Sequence, residues 1–189
     1  LVGAALARLR GAKIRAGLFA DPMPDQRLLA LVGGKRHEAL AQKLAESCLA
    51  WRGTPVSLQG RRVAYAEPDV SPQHWRGLDF VAELKRLGSS VRPAAANPAD
   101  VLILGVFLRP RAYSGRIKIA PAELSAGLRL MQGAQEAVVV SFGNPFVLAD
   151  FPGRSGLCAF SHIPAAQRAT ARALWERIPV TGHMPVDVP

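Results

Sequence analysis

Acidic side chains are in short supply: 14 Asp and Glu stand against 24 Lys and Arg, a net charge of +10. Such an excess suits nucleic acid or another anionic partner. Yet 19 of the basic residues are Arg, scattered along the chain. The few aromatics, 6% of residues, do not interleave with them as a single-strand-binding surface requires. The charge therefore reads as a solvated basic surface, with no nucleic-acid partner. Cysteine is scarcer still. Cys48 and Cys158 have no CxxC or Cys/His spacing, which excludes the common zinc arrangements. Both sit at apolar pattern positions and read as buried thiols. His37, His74, His162 and His183 stand alone, without an HExxH pair, so no metal site and no cofactor is expected. No apolar run approaches the roughly 18 residues of a membrane span. Arg8, Arg10, Lys13 and Arg15 interrupt any signal-peptide core at the start. A phosphate-binding Gly-Lys-Ser/Thr loop and a Gly-x-Ser-x-Gly nucleophile elbow are missing too.

What is present is ordinary globular material, 49% hydrophobic and 20% charged over 189 residues. That length suits one domain, or one domain with an appendage. It is too short for a complete (β/α)8 barrel, which needs about 250 residues. Residues 1–53 read as an N-terminal helical arm. A helix over 1–19 carries Leu6, Leu9, Lys13 and Ala16 on one face, with Gly17 to end it. Gly33-Gly34 break the chain before a second helix, 35–51. There Leu40, Leu44 and Cys48 form a stripe expected to pack inward, flanked by Ala41, Ala45 and Leu49.

Residues 54–189 alternate strands and helices. Strands are expected at 61–66, 89–93, 100–107, 137–142 and 157–160. Helices are expected at 73–88, 119–133 and 164–178. Trp75, Leu78 and Ala82 should face inward from the first of these helices, and Gly88 should stop it. Leu124, Leu128 and Met131 should do so from the second. DVLILGVF and AVVVSF are continuous apolar runs, as strands buried on both faces must be. The fold class is α/β, with a mostly parallel, doubly wound sheet covered by helices on both faces.

In such sheets ligands gather beyond the carboxyl ends of the strands. The candidate binding residues there are Glu67, Asp69, Arg109, Arg111, Tyr113, Asn144 and His162. Pro68, Ser114, Ser141, Gly143 and Ser161 share those ends. Glu67 and Asp69 lie on one turn, poorly placed for opposite faces of a sugar. The 109–118 segment is a basic loop that could hold an anionic or sugar group. SFGNPF reads as a strand, a tight turn and a helix start. No residue is assigned a catalytic role.

Four segments together resemble the C-terminal part of glycoside hydrolase family 3. RLRGAKIRAGLFADP is similar to that family's helix-and-loop exit from its catalytic barrel, and HEALAQKLAESCLAW to the helix that follows. EAVVVSFGNPFVLADFP and LCAFSHIPAAQRATARALWERIPVTGHMPVDVP are similar to strands, turn and closing stretch of its β-N-acetylhexosaminidase branch. The resemblance runs from about Leu6 to Pro189. It implies a three-layer α/β/α sandwich joined to an N-terminal (β/α)8 barrel of the same polypeptide. It further implies a retaining β-glycosidase acting on a carbohydrate substrate, with its nucleophile and acid/base on the barrel. The related β-glucosidase branch keeps an acid/base Glu where Val106 stands here, and valine transfers no proton. Two departures are Glu176, where members carry Gly, and Met184, where they carry Leu. The rival reading is a non-catalytic α/β module that holds a sugar or an anion at the strand ends.

Overall fold

The computed structural model describes residues 2–20, 25–68, 76–93, 99–108 and 118–188. The chain divides into two compact units, residues 1–39 and 40–189. In the first, helix α1 (Val2–Arg15) and a 3-10 turn (Gln26–Leu31) precede the start of helix α2 (Lys35–Cys48). The Asp25 side chain caps the turn, accepting from the Arg27 N–H at 3.0 Å. No described side chain between 2 and 39 is buried. Val2, Leu6, Leu9, Ile14, Phe19 and Val32 are all more than half exposed. No helix among the described residues is long and apolar enough to cross a membrane.

The second unit is built on a six-stranded sheet. In chain order its strands are β1 (Ala50–Arg52), β2 (Val63–Ala66), β3 (Val91–Pro93), β4 (Val101–Val106), β5 (Glu136–Ser141) and β6 (Ser155–Cys158). Their spatial order is β1-β6-β5-β4-β2-β3. All neighbours are parallel except β1, which pairs antiparallel with β6. The two strongest apolar runs became the adjacent strands β4 and β5. Alternation splits them between two cores, because successive side chains point to opposite faces. Ile103, Val138 and Val140 face helices α3 (Leu78–Arg86) and α5 (Pro164–Leu174). Leu102, Leu104 and Val139 face helix α4 (Pro121–Gln132) and a 3-10 turn (Pro145–Asp150). The result is the expected mostly parallel sheet with helical cover on both faces.

Strand β1 was not expected; it lies within the stretch read as helical arm. Three helix faces also differ from their periodicity. On α2, Leu40, Leu44 and Cys48 are exposed, while Ala45 and Leu49 are buried and Ala41 packs beside them. The α2 face that packs inward thus carries small side chains, and long α5 side chains span to it. Two α5 arginines then fix it: Arg168 Nε donates to Gln42 at 3.2 Å, and Arg172 Nη1 to Glu46 at 2.8 Å. On α3, Phe80, Glu83 and Leu84 are buried, whereas Leu78 and Ala82 are exposed. The helix starts at Leu78, and the buried Gln167 side chain holds the Phe80 N–H at 3.2 Å, which sets the rotation. Trp75 lies outside the described residues. On α4, Leu128 is exposed and Gly127 faces the sheet. A Cβ on Gly127 would stand 3.1 Å from Leu104 Cδ2, so this contact selects glycine over a larger residue. Met131 is buried there and Leu124 half-buried, as expected.

Gly88 ends α3 at φ 99°, a conformation open to glycine at no steric penalty. Glu176 adopts φ 56° just beyond α5. That is the position where the resembled family carries glycine, so the departure leaves a side chain on a backbone that glycine suits better. Cys158 is buried as expected, and burial pushes its thiol up to about 11. Cys48, expected buried, is exposed because it shares the outer face of α2 with Leu40 and Leu44.

Glu83 joins α3 to α5. It accepts from Arg86 Nη2 at 2.7 Å and from Arg172 Nε at 2.7 Å. The Arg86 hydrogen bonds, aided by Arg172 and opposed by burial, hold its carboxyl at about 2, against an ordinary value of 4.5. A depressed folded-state value stabilises the fold fully above about pH 4.5, and this stabilisation drains away as pH falls toward 2. Melting curves between about pH 6 and pH 2.5 should therefore show a falling midpoint. Glu83→Gln should melt lower at the neutral end and lose part of the pH dependence. An unchanged slope would mean that Glu83 is not a principal acid-sensitive group.

Candidate functional site

The carboxyl ends of β4, β5 and β6 enclose an open cleft of about 480 Å³. It is lined by Leu108, Gly143, Asn144, Pro145, Phe160, Ser161 and His162. The cleft depends on close approach of the first two strand ends. The Phe142 N–H donates to the Val106 carbonyl at 2.8 Å, which carries the pairing past the end of β5. A Cβ on Gly143 would come within 2.7 Å of the Leu108 carbonyl oxygen, so only glycine allows it. Asn144 then opens the 3-10 turn. Its Oδ1 accepts from the Phe146 N–H at 3.1 Å, and its carbonyl accepts from Ser141 Oγ at 2.7 Å. This side-chain capping is a standard use of Asn at a helix start.

The far wall is set by Phe160, whose φ of 53° is rare for a residue with a side chain. Such a backbone costs about 1–3 kcal/mol and marks a place where the fold imposes a direction on the chain. Here it turns Ser161 and His162 toward the cleft. The His162 carbonyl is held by Gln167 Nε2 at 2.8 Å, and Gln167 Oε1 accepts from the Phe80 N–H. One buried amide thus ties the cleft wall to the start of α3. Beneath, Phe107 stacks on Phe142 at 4.5 Å and Phe80 meets Phe142 edge-on at 5.5 Å. These rings form an apolar floor that fixes the strand ends.

Of the seven expected binding residues, the fold brings Asn144 and His162 together. Glu67 follows β2, on the far side of β4 from β5, and is not among the cleft residues. Its Oε1 accepts from Tyr65 Oη at 2.8 Å. Asp69, Arg109, Arg111 and Tyr113 lie outside the described residues, as does most of the basic 109–118 loop. Phe160 was missed, because an aromatic residue at positive φ carries no sequence signal. Pro145 was read only as part of a turn. Val106 ends β4 fully buried.

Asn, Ser and His side chains supply neutral donors and acceptors, the groups that pair with hydroxyls. Among the described residues no carboxylate lines this cleft. Among the described residues no three His, Cys, Asp or Glu side chains assemble into a metal site.

No family model matches the sequence, and no curated protein matches it. The fold, however, is shared with solved glycosidase structures. A β-glucoside phosphorylase, BglX, superposes with a TM-score of 0.75 at 18% identity, over 93% of this chain and 36% of that one. A glycoside hydrolase family 3 β-N-acetylglucosaminidase from Paenibacillus sp. gives 0.66 at 16%, over 97% and 38%. A β-glucosidase from Listeria innocua, in complex with isofagomine, gives 0.64 at 13%, over 90% and 30%. At these identities the likeness is one of fold: an α/β sandwich of the kind these enzymes contain. The chain spans about a third of the length of the structures it matches.

Proposed function

We propose that this chain is the C-terminal sandwich domain of a family 3 glycosidase of the retaining β-N-acetylhexosaminidase type. In this reading it docks on an N-terminal (β/α)8 barrel that carries the catalytic groups, and its strand-end cleft walls one side of the sugar site. The observation that carries the reading is the joint one of segment order and fold. The SFGNPF turn forms the cleft lip, and the IPVTGHMPV stretch packs as the closing tail, in a fold shared with enzymes about three times as long.

The chemistry agrees with a supporting part. Retaining hydrolysis needs a nucleophile and an acid/base about 5–5.5 Å apart. Among the described residues the cleft offers hydroxyl-pairing groups and no carboxylate. Asn144 and His162 are the residues suited to orient a polar ring, while Asp69, Arg109, Arg111 and Tyr113 remain candidates from the neighbouring loops. Val106, buried at the end of β4, offers no proton donor of its own. This favours the hexosaminidase branch over the β-glucosidase one.

The branch is tested on the whole polypeptide. It should hydrolyse an aryl N-acetyl-β-glucosaminide with kcat/KM at least about 100-fold above the matching β-glucoside, roughly 2.7 kcal/mol of discrimination. Equal or reversed preference would sink the hexosaminidase reading and leave the domain reading standing.

A further inference from the structure

Three arginines meet at the end of the sheet opposite the strand-end cleft. Arg86 closes α3, Arg172 lies in the last turn of α5, and Arg177 follows α5. With Glu46, Leu87 and Ile178 they line an open cavity of about 570 Å³. The first duty of such residues at helix ends is to offset the exposed carbonyls. The pairing pattern leaves capacity beyond that.

Two of the arginines are held rigid by carboxylates. Glu83, whose side chain is only 6% exposed, takes Arg86 through Nε and Nη2, at 2.8 and 2.7 Å. It also takes Arg172 through Nε at 2.7 Å. Glu46 takes Arg172 Nη1 at 2.8 Å and is itself steadied by Gln42 Nε2 at 3.0 Å. Among the described residues no acceptor takes Arg86 Nη1 or Arg172 Nη2. The Arg177 side chain is exposed, and among the described residues no acceptor takes any of its donors; only its backbone N–H is bound, to the Arg172 carbonyl at 2.8 Å. The cavity thus has three guanidinium groups against two carboxylates. Two of the three are already ordered, so little rotamer freedom is lost when they bind.

We propose that this cavity binds a small phosphate-bearing anion, held by the free donors of Arg86, Arg172 and Arg177. A carboxylate is planar and is satisfied by one guanidinium fork. Donors arriving from two helices and a turn instead suit a tetrahedral group with three or four acceptor oxygens. Leu87 and Ile178 give the rest of such a molecule an apolar wall. This site is separate from the sugar cleft and does not depend on the function proposed above.

The test is calorimetric titration of the 189-residue chain with inorganic phosphate, a hexose phosphate and acetate. Ionic strength must be held fixed, because the net charge of +10 attracts any anion. Saturable phosphate binding is expected, with acetate weaker by about tenfold or more. Arg177→Gln touches no internal pair, so its melting temperature should match the wild type while phosphate affinity falls about tenfold. Arg129→Gln removes an exposed charge on α4, away from the cavity, and should change nothing. The tighter of the two phosphates identifies a free or an esterified group as the ligand. The proposal fails if no binding saturates, if Arg177→Gln binds like the wild type, or if Arg129→Gln loses as much.

Discussion

Assayed alone, the chain should release no product from aryl N-acetyl-β-glucosaminides or aryl β-glucosides. The argument is chemical. A double displacement needs one group to attack the anomeric carbon and another to protonate the leaving oxygen. Among the described residues the strand-end cleft contains His162 and Asn144 and no carboxylate. Glu67 is across the sheet and accepts from Tyr65 Oη. Joined to the barrel proposed above, the chain should show turnover higher by many orders of magnitude, since enzymes commonly accelerate such reactions at least 10⁶-fold, roughly 8 kcal/mol. In that whole enzyme the pair Glu67→Gln and Asp69→Asn should change the rate less than about tenfold, roughly 1.4 kcal/mol of barrier. Turnover by the chain alone that disappears in this double variant would place a catalytic carboxylate in the sandwich.

Val139→Asp should prevent folding at physiological temperature. Val139 sits in β5, between β4 and β6, opposite Leu104 and Gly156, and is 1% exposed. Its surroundings are Leu102, Leu104, Met131, Phe151 and Cys158. A carboxylate there would be desolvated among apolar side chains. Such a group costs several kcal/mol even when it protonates to escape. A domain of this size has about 5–15 kcal/mol to lose, and each one moves the midpoint by about 2–4 °C. A fall of more than about 10 °C, or recovery only in aggregates, is expected. Leu40→Asp, on the exposed face of α2, should stay within about 0.5 kcal/mol of the wild type. Equal melting of the two variants would show that β5 is not a central strand.

The difference between those two leucine-and-valine positions shows what the sequence could tell. Strands β4 and β5 were legible because burial on both faces leaves an unbroken apolar run. Helix phases were less so. Periodicity weighs the largest side chains, and therefore picked Leu40, Leu44 and Leu128. The packed faces are instead those of Ala41, Ala45 and Gly127, whose small side chains weigh little in a periodicity. Strand β1 is three residues long and owes its existence to β6, more than a hundred residues further on; no local pattern could announce it. At the cleft, Asn144 and His162 were expected because they follow strands, and both line it. Phe160 was not, since its role is a backbone direction rather than a side-chain chemistry. Glu67 follows β2 and is not among the residues that line this cleft, because the rule takes no account of which strand ends share a cleft.

The antiparallel β1 has a bearing on how the molecule comes together. Its residues, and the α2 face before them, have their partners at the other extreme of the unit. Arg172 reaches Glu46 across a separation of 126 residues, and Ala50 meets Cys158 on one side and Gly182 on the other. The β2–β5 portion can assemble from near neighbours through right-handed crossovers, but residues 40–52 must wait until β6 and α5 have been made. Closing so long a loop is slow, and contact order of this kind lengthens folding times. During synthesis the segment that emerges from the ribosome early is thus the one seated late. In the interval its apolar face and bare strand are open to chaperones, or to the wrong neighbour.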